Sequence, residues 1–142
     1  MDELRDCIVA YLLKHRQCIL TTSGATGAWA MPAPYRPLAE AVGSRILDVE
    51  CLLPRWADVL YHLEQCPEVL LIVLDAQGAG LRWLQYQGTA QGVDMPDWPR
   101  LLPKEVFPVR PEDRYSVVRV TPHRIDFIDE TRGWGARETL DL

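Results

Sequence analysis

The residues best placed to do chemistry lie in one stretch, Ile46 to Leu74, reading ILDVECLLPRWADVLYHLEQCPEVLLIVL. Two apolar, strand-like runs flank a short helix-like segment. A strand that runs into a helix N-terminus is a ready place to hold a phosphate, because amide N–H groups and the helix dipole both face the anion. Asp48, Glu50 and Asp58 stand at this junction, with Arg55 as the nearby cation. A phosphate there would meet like charges, each costing about 1 kcal/mol in a partly screened cleft. Arg36 is the second cation that could serve it. The junction is a candidate anion site with an adverse charge balance.

Thiols and imidazoles offer less. Cys7, Cys18, Cys51 and Cys66 form no CxxC pair, and none has a histidine at finger-like spacing, so the pattern argues against zinc. Four scattered thiols read as reduced, buried small hydrophobes, with Cys51 beside the junction as the one to consider for reactivity. His15, His62 and His123 fall on a helix face, a helix end and a strand start. No Ser/His/Asp order with a nucleophile elbow accompanies them, so they read as core or surface residues rather than catalytic bases.

The elements that must position these residues follow from periodicity. Leu4, Ile8, Tyr11, Leu12 and His15 share one helical face and predict a helix over 2–16, with acidic residues at its start and basic ones at its end. QCILTT is a strand closed by the turn SGATG. AWAMPAPYRPL alternates but holds three prolines, so it is an edge or a strand broken by a bulge and not a fully paired central one. SRILDVEC is the third strand. Pro54 suits a first helical turn and opens a helix over 54–65, lined by Trp56, Val59, Leu60 and Leu63.

EVLLIVLDA is apolar on both faces, hence a central buried strand. After the turn QGAG comes LRWLQYQGTAQGV, in which Gly88 marks a bulge or a close approach. Trp83 and Tyr86 sit on opposite faces of that strand, one for the core and one for a pocket or interface. Pro96, Pro99, Pro103, Pro108 and Pro111 make the next segment a loop with a short helix around Leu101 to Val106. RYSVVRV and HRIDFID, split by Thr121-Pro122, form a last pair of strands before the tail ETRGWGARETLDL. Hairpin-style turns predict a mainly β fold, a small antiparallel barrel of six or seven strands with flanking helices.

The bulk numbers agree with one such domain over 1–142. A chain of 142 residues needs no metal or disulfide staple. Its net charge of −5 argues against nucleic-acid binding. The longest aliphatic run, Val69 to Leu74, is too short to cross a bilayer, and MDELRD lacks a signal-peptide layout. The expectation is a soluble cytoplasmic protein without a membrane partner.

This order of elements resembles the FMN-binding split barrel of the pyridoxamine-5'-phosphate-oxidase-like superfamily. CILTTSGATGAWAMPAPY is similar to its first hairpin and RILDVE to its third strand. YHLEQCPEV resembles its helix-to-strand signature, LQYQGTAQ its strand ending in Gly-x-Ala, and RVTPHRIDFIDETRGWGARETLDL the ending of some members. The resemblance covers the chain from about Leu4 to the tail. It implies a homodimer with FMN, or sometimes a deazaflavin or haem, at the subunit interface.

It also implies that Met31, Pro32 and Ala33 run past the flavin ring. The phosphate would be held by a Thr or Ser ending the third strand and a Lys or Arg opening the next helix. Here the strand reads Val49-Glu50-Cys51, without a hydroxyl, and the place of the lysine reads Asp58-Val59. Glu50 and Arg55 are thus the junction's candidate cofactor contacts, with Tyr86 on the neighbouring strand. Trp134, freed by two flanking glycines, is placed to reach over a partner's pocket or to anchor the tail. Arg132 and Arg137 are the late cations.

Two functions are consistent with these residues. The first is an FMN-dependent oxidoreductase acting on a small molecule, in which the cofactor carries the chemistry. The alternative is a non-enzymatic split-barrel dimer that has lost the phosphate grip and serves as a binding or scaffold module.

Overall fold

Alternation of apolar and polar residues along most strands dictates a sheet with one face turned inward, and a computed structural model shows it closed into a barrel. The structure describes residues 2–24, 27–38, 46–75, 82–102 and 110–142. In chain order come α1 (Asp2–Lys14), β1 (Gln17–Gly24), β2 (Gly27–Pro37), β3 (Val49–Pro54), α2 (Asp58–Gln65), β4 (Glu68–Leu74), β5 (Arg82–Gly92), α3 (Trp98–Leu101), β6 (Tyr115–Asp129) and β7 (Arg137–Asp141).

The strands run in the order β3-β2-β1-β4-β5-β6-β7, all antiparallel. A further pairing of β3 with β6 closes the ring. The barrel is split at β2. Residues 27–34 of β2 pair with β1, and only residues 35–37 pair with β3. Pro32 and Pro34 leave the second edge of that first half without a strand, as three prolines in one strand require.

The core gathers Leu20, Leu53, Leu71, Leu84, Val120 and Ile125, all at most 2% exposed. Buried tyrosines bring polar atoms into it and satisfy them on main-chain carbonyls. Tyr35 donates to Leu12 at 2.7 Å, Tyr11 to Val73 at 2.8 Å, and Tyr86 to both Leu47 and Val120.

Several boundaries differ from the sequence reading. The first helix ends at Lys14, two residues early. The third strand spans Val49–Pro54 rather than 44–51; residues 44 and 45 lie outside the described set. Pro54 therefore closes a strand instead of opening a helix, because β3 follows β6 to the pair Pro54–Tyr115, and α2 begins at Asp58. β4 is buried on one face only; Leu70 and Ile72 on the other are half-buried. β6 continues as one strand through Thr121-Pro122 but carries a bulge there: Gln87 pairs with Arg124 and Gly88 with Pro122, which leaves His123 as the extra residue.

The short helix lies at Trp98–Leu101, upstream of its expected place, and residues 103–109 fall outside the described set. The turn QGAG also lies outside it. Part of the tail forms β7, paired along β6.

Candidate functional site

The junction singled out by sequence is built differently from its expected form. Glu50 is 2% exposed and is the second residue of β3, facing α3 and β6. Its carboxylate accepts from Arg119 at 2.8 Å and from Arg100, whose guanidinium also donates to the carbonyl of Pro37. These arginines lie 50 and 69 positions away in sequence, so no local pattern could announce them. A buried carboxylate held by two cations organises the fold around it and is spent.

Beyond it the strand ends Leu52-Leu53-Pro54, again without a hydroxyl. The turn that follows uses the amides of Arg55 and Ala57 on the carbonyls of Arg114 and Pro54. The Arg55 guanidinium donates to the carbonyl of Glu112. Helix α2 opens on Asp58 and Val59; Asp58 brings a negative charge, and Val59 is 3% exposed and points into the core.

The free edge of β2 can be read atom by atom. The Tyr35 amide donates to Arg16, on the β1 side, at 3.0 Å, while the Leu38 amide donates to Asp48, on the β3 side. Strand alternation then turns the main-chain groups of Ala28, Ala30, Pro32 and Pro34 towards the open edge. Proline has no N–H, so at positions 32 and 34 this edge presents carbonyl acceptors alone. At those two positions the edge resists an added strand and gives no donor to a ring nitrogen or ring carbonyl lying alongside. Met31 is half-buried and Ala33 fully buried, both on the inward side of β2, so Pro32 is the exposed member of that trio.

Helix α2 fills the split with Val59 and Leu63 inward. On one flank His62 stacks on Trp29 of β2, ring centroids 4.8 Å apart and planes 29° from parallel, and Tyr61 meets His62 edge-on. On the other flank Leu60 and Glu64 face the ends of β5 and β6 across a cleft of about 680 Å³. Arg55 stands at its rim.

The remaining candidates disperse. Tyr86 is fully buried, and burial pushes its hydroxyl well above the usual range, so it is a core donor; Trp83 is the half-buried partner on the outer face. Trp134 is 95% exposed on the turn between β6 and β7, where Gly133 and Gly135 take φ of 139° and 76°. Arg132 beside it pairs with Glu138 at 3.0 Å, and Arg137 is exposed on β7. Cys51 is buried; a hydrogen bond to Cys18, then burial, push its thiol well above the usual range, the opposite of an activated nucleophile.

His123 pairs with Glu68 at 3.1 Å on the surface. Among the described residues no group of His, Cys, Asp and Glu comes together to hold a metal, and no helix is long and apolar enough to cross a membrane. Within one chain the structure brings Arg55 to the β3–α2 turn but leaves Pro32, Tyr86 and Trp134 apart.

FMN does not fit the junction as the resemblance would hold it. The strand end lacks a hydroxyl, the helix opens without a basic residue, and the ring-side edge of β2 lacks donors at two of its four outward positions.

No protein-family model matches the chain, and no curated protein sequence matches it. Solved structures do. General stress protein 26 from Bacillus anthracis str. Sterne is similar with a TM-score of 0.70 at 16% identity, over 99% of both chains. A pyridoxamine 5'-phosphate oxidase-related, FMN binding protein from Nostoc punctiforme gives 0.63 at 9% identity, over 99% of this chain and 95% of that one. A heme binding protein from Mycobacterium smegmatis gives 0.62 at 14% identity, over 94% of this chain and 56% of that one. At such identities the likeness establishes the fold: the split barrel of the pyridoxamine-5'-phosphate-oxidase-like proteins.

Proposed function

We propose that this chain is a pyridoxamine-5'-phosphate-oxidase-related split-barrel dimer that works as a binding module and does not grip FMN by its phosphate. The observation that carries the reading is the state of the junction. Glu50 is committed to Arg100 and Arg119, and nothing at Leu52-Leu53-Pro54 or Asp58-Val59 replaces the hydroxyl and the lysine. A dimer is supported by the outward face of β1, β4 and β5, where Ile19, Leu70, Ile72 and Trp83 are half-buried and Leu74 is 48% exposed. Apolar side chains on one sheet face favour a covering partner, and Trp134 is a ready anchor for it.

The second reading is an FMN-dependent oxidoreductase acting on a small molecule. It is favoured by the structural neighbour named as FMN binding and by the cations Arg36 and Arg55. In that case FMN would supply the redox chemistry, and the chain its position and polarity.

The test is the visible absorption spectrum of the purified protein, followed by titration with FMN and with riboflavin, read by flavin fluorescence. The binding-module reading expects no co-purified flavin and no preference for FMN over riboflavin. Co-purified FMN, or submicromolar FMN binding that riboflavin does not share, overturns it in favour of the oxidoreductase. Sedimentation at micromolar concentration tests the dimer; a 16.2 kDa species would remove it.

A further inference from the structure

The cleft on the Leu60 and Glu64 flank of α2 is a second feature, which shares Arg55 at its rim with the junction. The inward face of β5 reads Leu84, Tyr86, Gly88, Ala90 and Gly92, so side-chain volume falls away towards this end. The two glycines serve opposite ends. At Gly88 an added Cβ would sit 2.5 Å from the carbonyl oxygen of Thr121, so the glycine is there for close packing. At Gly92, paired with Val118 of β6, an added Cβ would meet nothing within 4 Å. Space has been left over a position that elsewhere on this face is core.

The space is walled by apolar groups: Leu60 and Leu63 of α2, and Val93, Val117 and Val118. Trp98 and Tyr115 add aromatic faces. At about 680 Å³ the cleft matches the range for small organic ligands, about 300–1,000 Å³. Its rim selects among them. The Glu112 carboxylate is taken by Arg110 at 2.8 Å, and Arg55 leans on the main-chain carbonyl of Glu112. Glu64 on α2 and Asp94 on the segment after β5 both line the cleft and have no ion-pair partner among the described residues. Arg55 offsets one of these charges, so Glu64 and Asp94 leave a net negative rim over apolar, aromatic-lined walls, which disfavours an anion and attracts a cation with an apolar body.

We infer that this cleft is a binding site for a small organic cation, an amine or quaternary ammonium carrying an aryl or alkyl body, seated between α2 and the ends of β5 and β6. The inference does not rest on the flavin question. A protein that bound FMN elsewhere would keep it, and a protein that bound no flavin would not lose it.

Isothermal titration at low ionic strength with benzyltrimethylammonium, benzyl alcohol and phenylacetate separates charge from shape. The cation should bind about tenfold or more tightly than the neutral alcohol, the value expected for two partly exposed charge contacts. Phenylacetate should not bind, and added salt should weaken the cation alone. Glu64→Gln with Asp94→Asn should bring the cation to the level of the alcohol while leaving the alcohol unchanged; both side chains are exposed, so the fold should persist. Gly92→Leu should fill the cavity and exclude both. Absence of cation binding, equal affinity for cation and alcohol, or cation affinity that survives the double charge variant each overturns the inference. The charge variant decides the matter even if the cavity-filling one fails to fold.

Discussion

On its His62 side, helix α2 is closed against β2 by the stack of His62 on Trp29, and the adjoining strand edge lacks donors at Pro32 and Pro34. On its Leu60 and Glu64 side the same helix stands away from β5 and β6, over a glycine with nothing near its added Cβ and two carboxylates that share one rim cation, Arg55. Related folds in which FMN is bound were expected, by resemblance, to use the first flank. Among the described residues the first flank is sealed and the second is open. Conservation of a barrel therefore says little about which side of its helix meets a ligand, because the barrel is set by strand pairing and the ligand by a handful of edge and rim residues.

The largest effect should come from breaking the element that walls the open side. Glu50 ties α3, which carries Trp98, to β3 and β6. Glu50→Ala removes the buried carboxylate of an ionic cluster and leaves two partly exposed guanidiniums without it, a loss of about 3–5 kcal/mol at most. The lower end is expected, because the Arg100 and Arg119 side chains keep 24% and 34% of their exposure. Thermal unfolding should fall by on the order of 10 °C for a domain of this size. A melting temperature within a degree or two of the parent protein would show that the cluster is ornamental and that α3 is held by Leu101 packing alone.

Glu50 also marks where sequence reasoning stopped. Its burial and its bond to Arg119 depend on the pairing of β3 with β6, which brings residues 69 positions apart together, and Arg100 comes from α3. Periodicity found α1, the barrel class, the bulge or close approach at Gly88 and the broken character of β2, because each is written in local spacing. It misplaced the β3–α2 boundary because Pro54 satisfies both a strand end and a first helical turn, and only the partner Tyr115 decides between them. The open cleft was invisible for the same reason. Gly92, Glu64 and Asp94 carry no motif and become a site only when α2 is laid across the ends of β5 and β6.

The two glycines of β5 sharpen the contrast at a smaller scale. Gly88→Ala should cost about 1–3 kcal/mol or more, because the clashing atom is a main-chain carbonyl that cannot rotate away. Gly92→Ala should be neutral to stabilising by about 0.4–1 kcal/mol, since the methyl meets no atom and the unfolded chain loses freedom. Denaturant unfolding of both variants measures the difference. Equal losses would mean that the space over Gly92 closes in solution.

The closed flank offers a milder test. Trp29→Ala removes an indole that is 41% exposed and its stack on His62, a loss of about 0.5–1.5 kcal/mol. It also opens the gap between β2 and α2. If Trp29 were what excludes FMN, the variant should gain flavin binding. The expected outcome is no gain, since the prolines and the absent hydroxyl and lysine stay as they were; fluorescence titration of the variant with FMN reads the answer.

The smallest expected effect lies away from both flanks. Burial lowers the pKa of His15, against the pull of Asp75, and its ring packs on Tyr11 at 4.3 Å. A lowered folded-state pKa means that the folded protein binds fewer protons than the unfolded chain. The associated stability is present above the ordinary histidine pKa of about 6.5 and is lost as pH falls through the folded value. His15→Phe keeps a ring in the same place and cannot titrate. The variant should therefore unfold with a flatter pH dependence below neutrality than the parent, with little change at pH 8. An identical slope in both proteins would mean that His15 does not contribute to the acid sensitivity and is a packing residue alone.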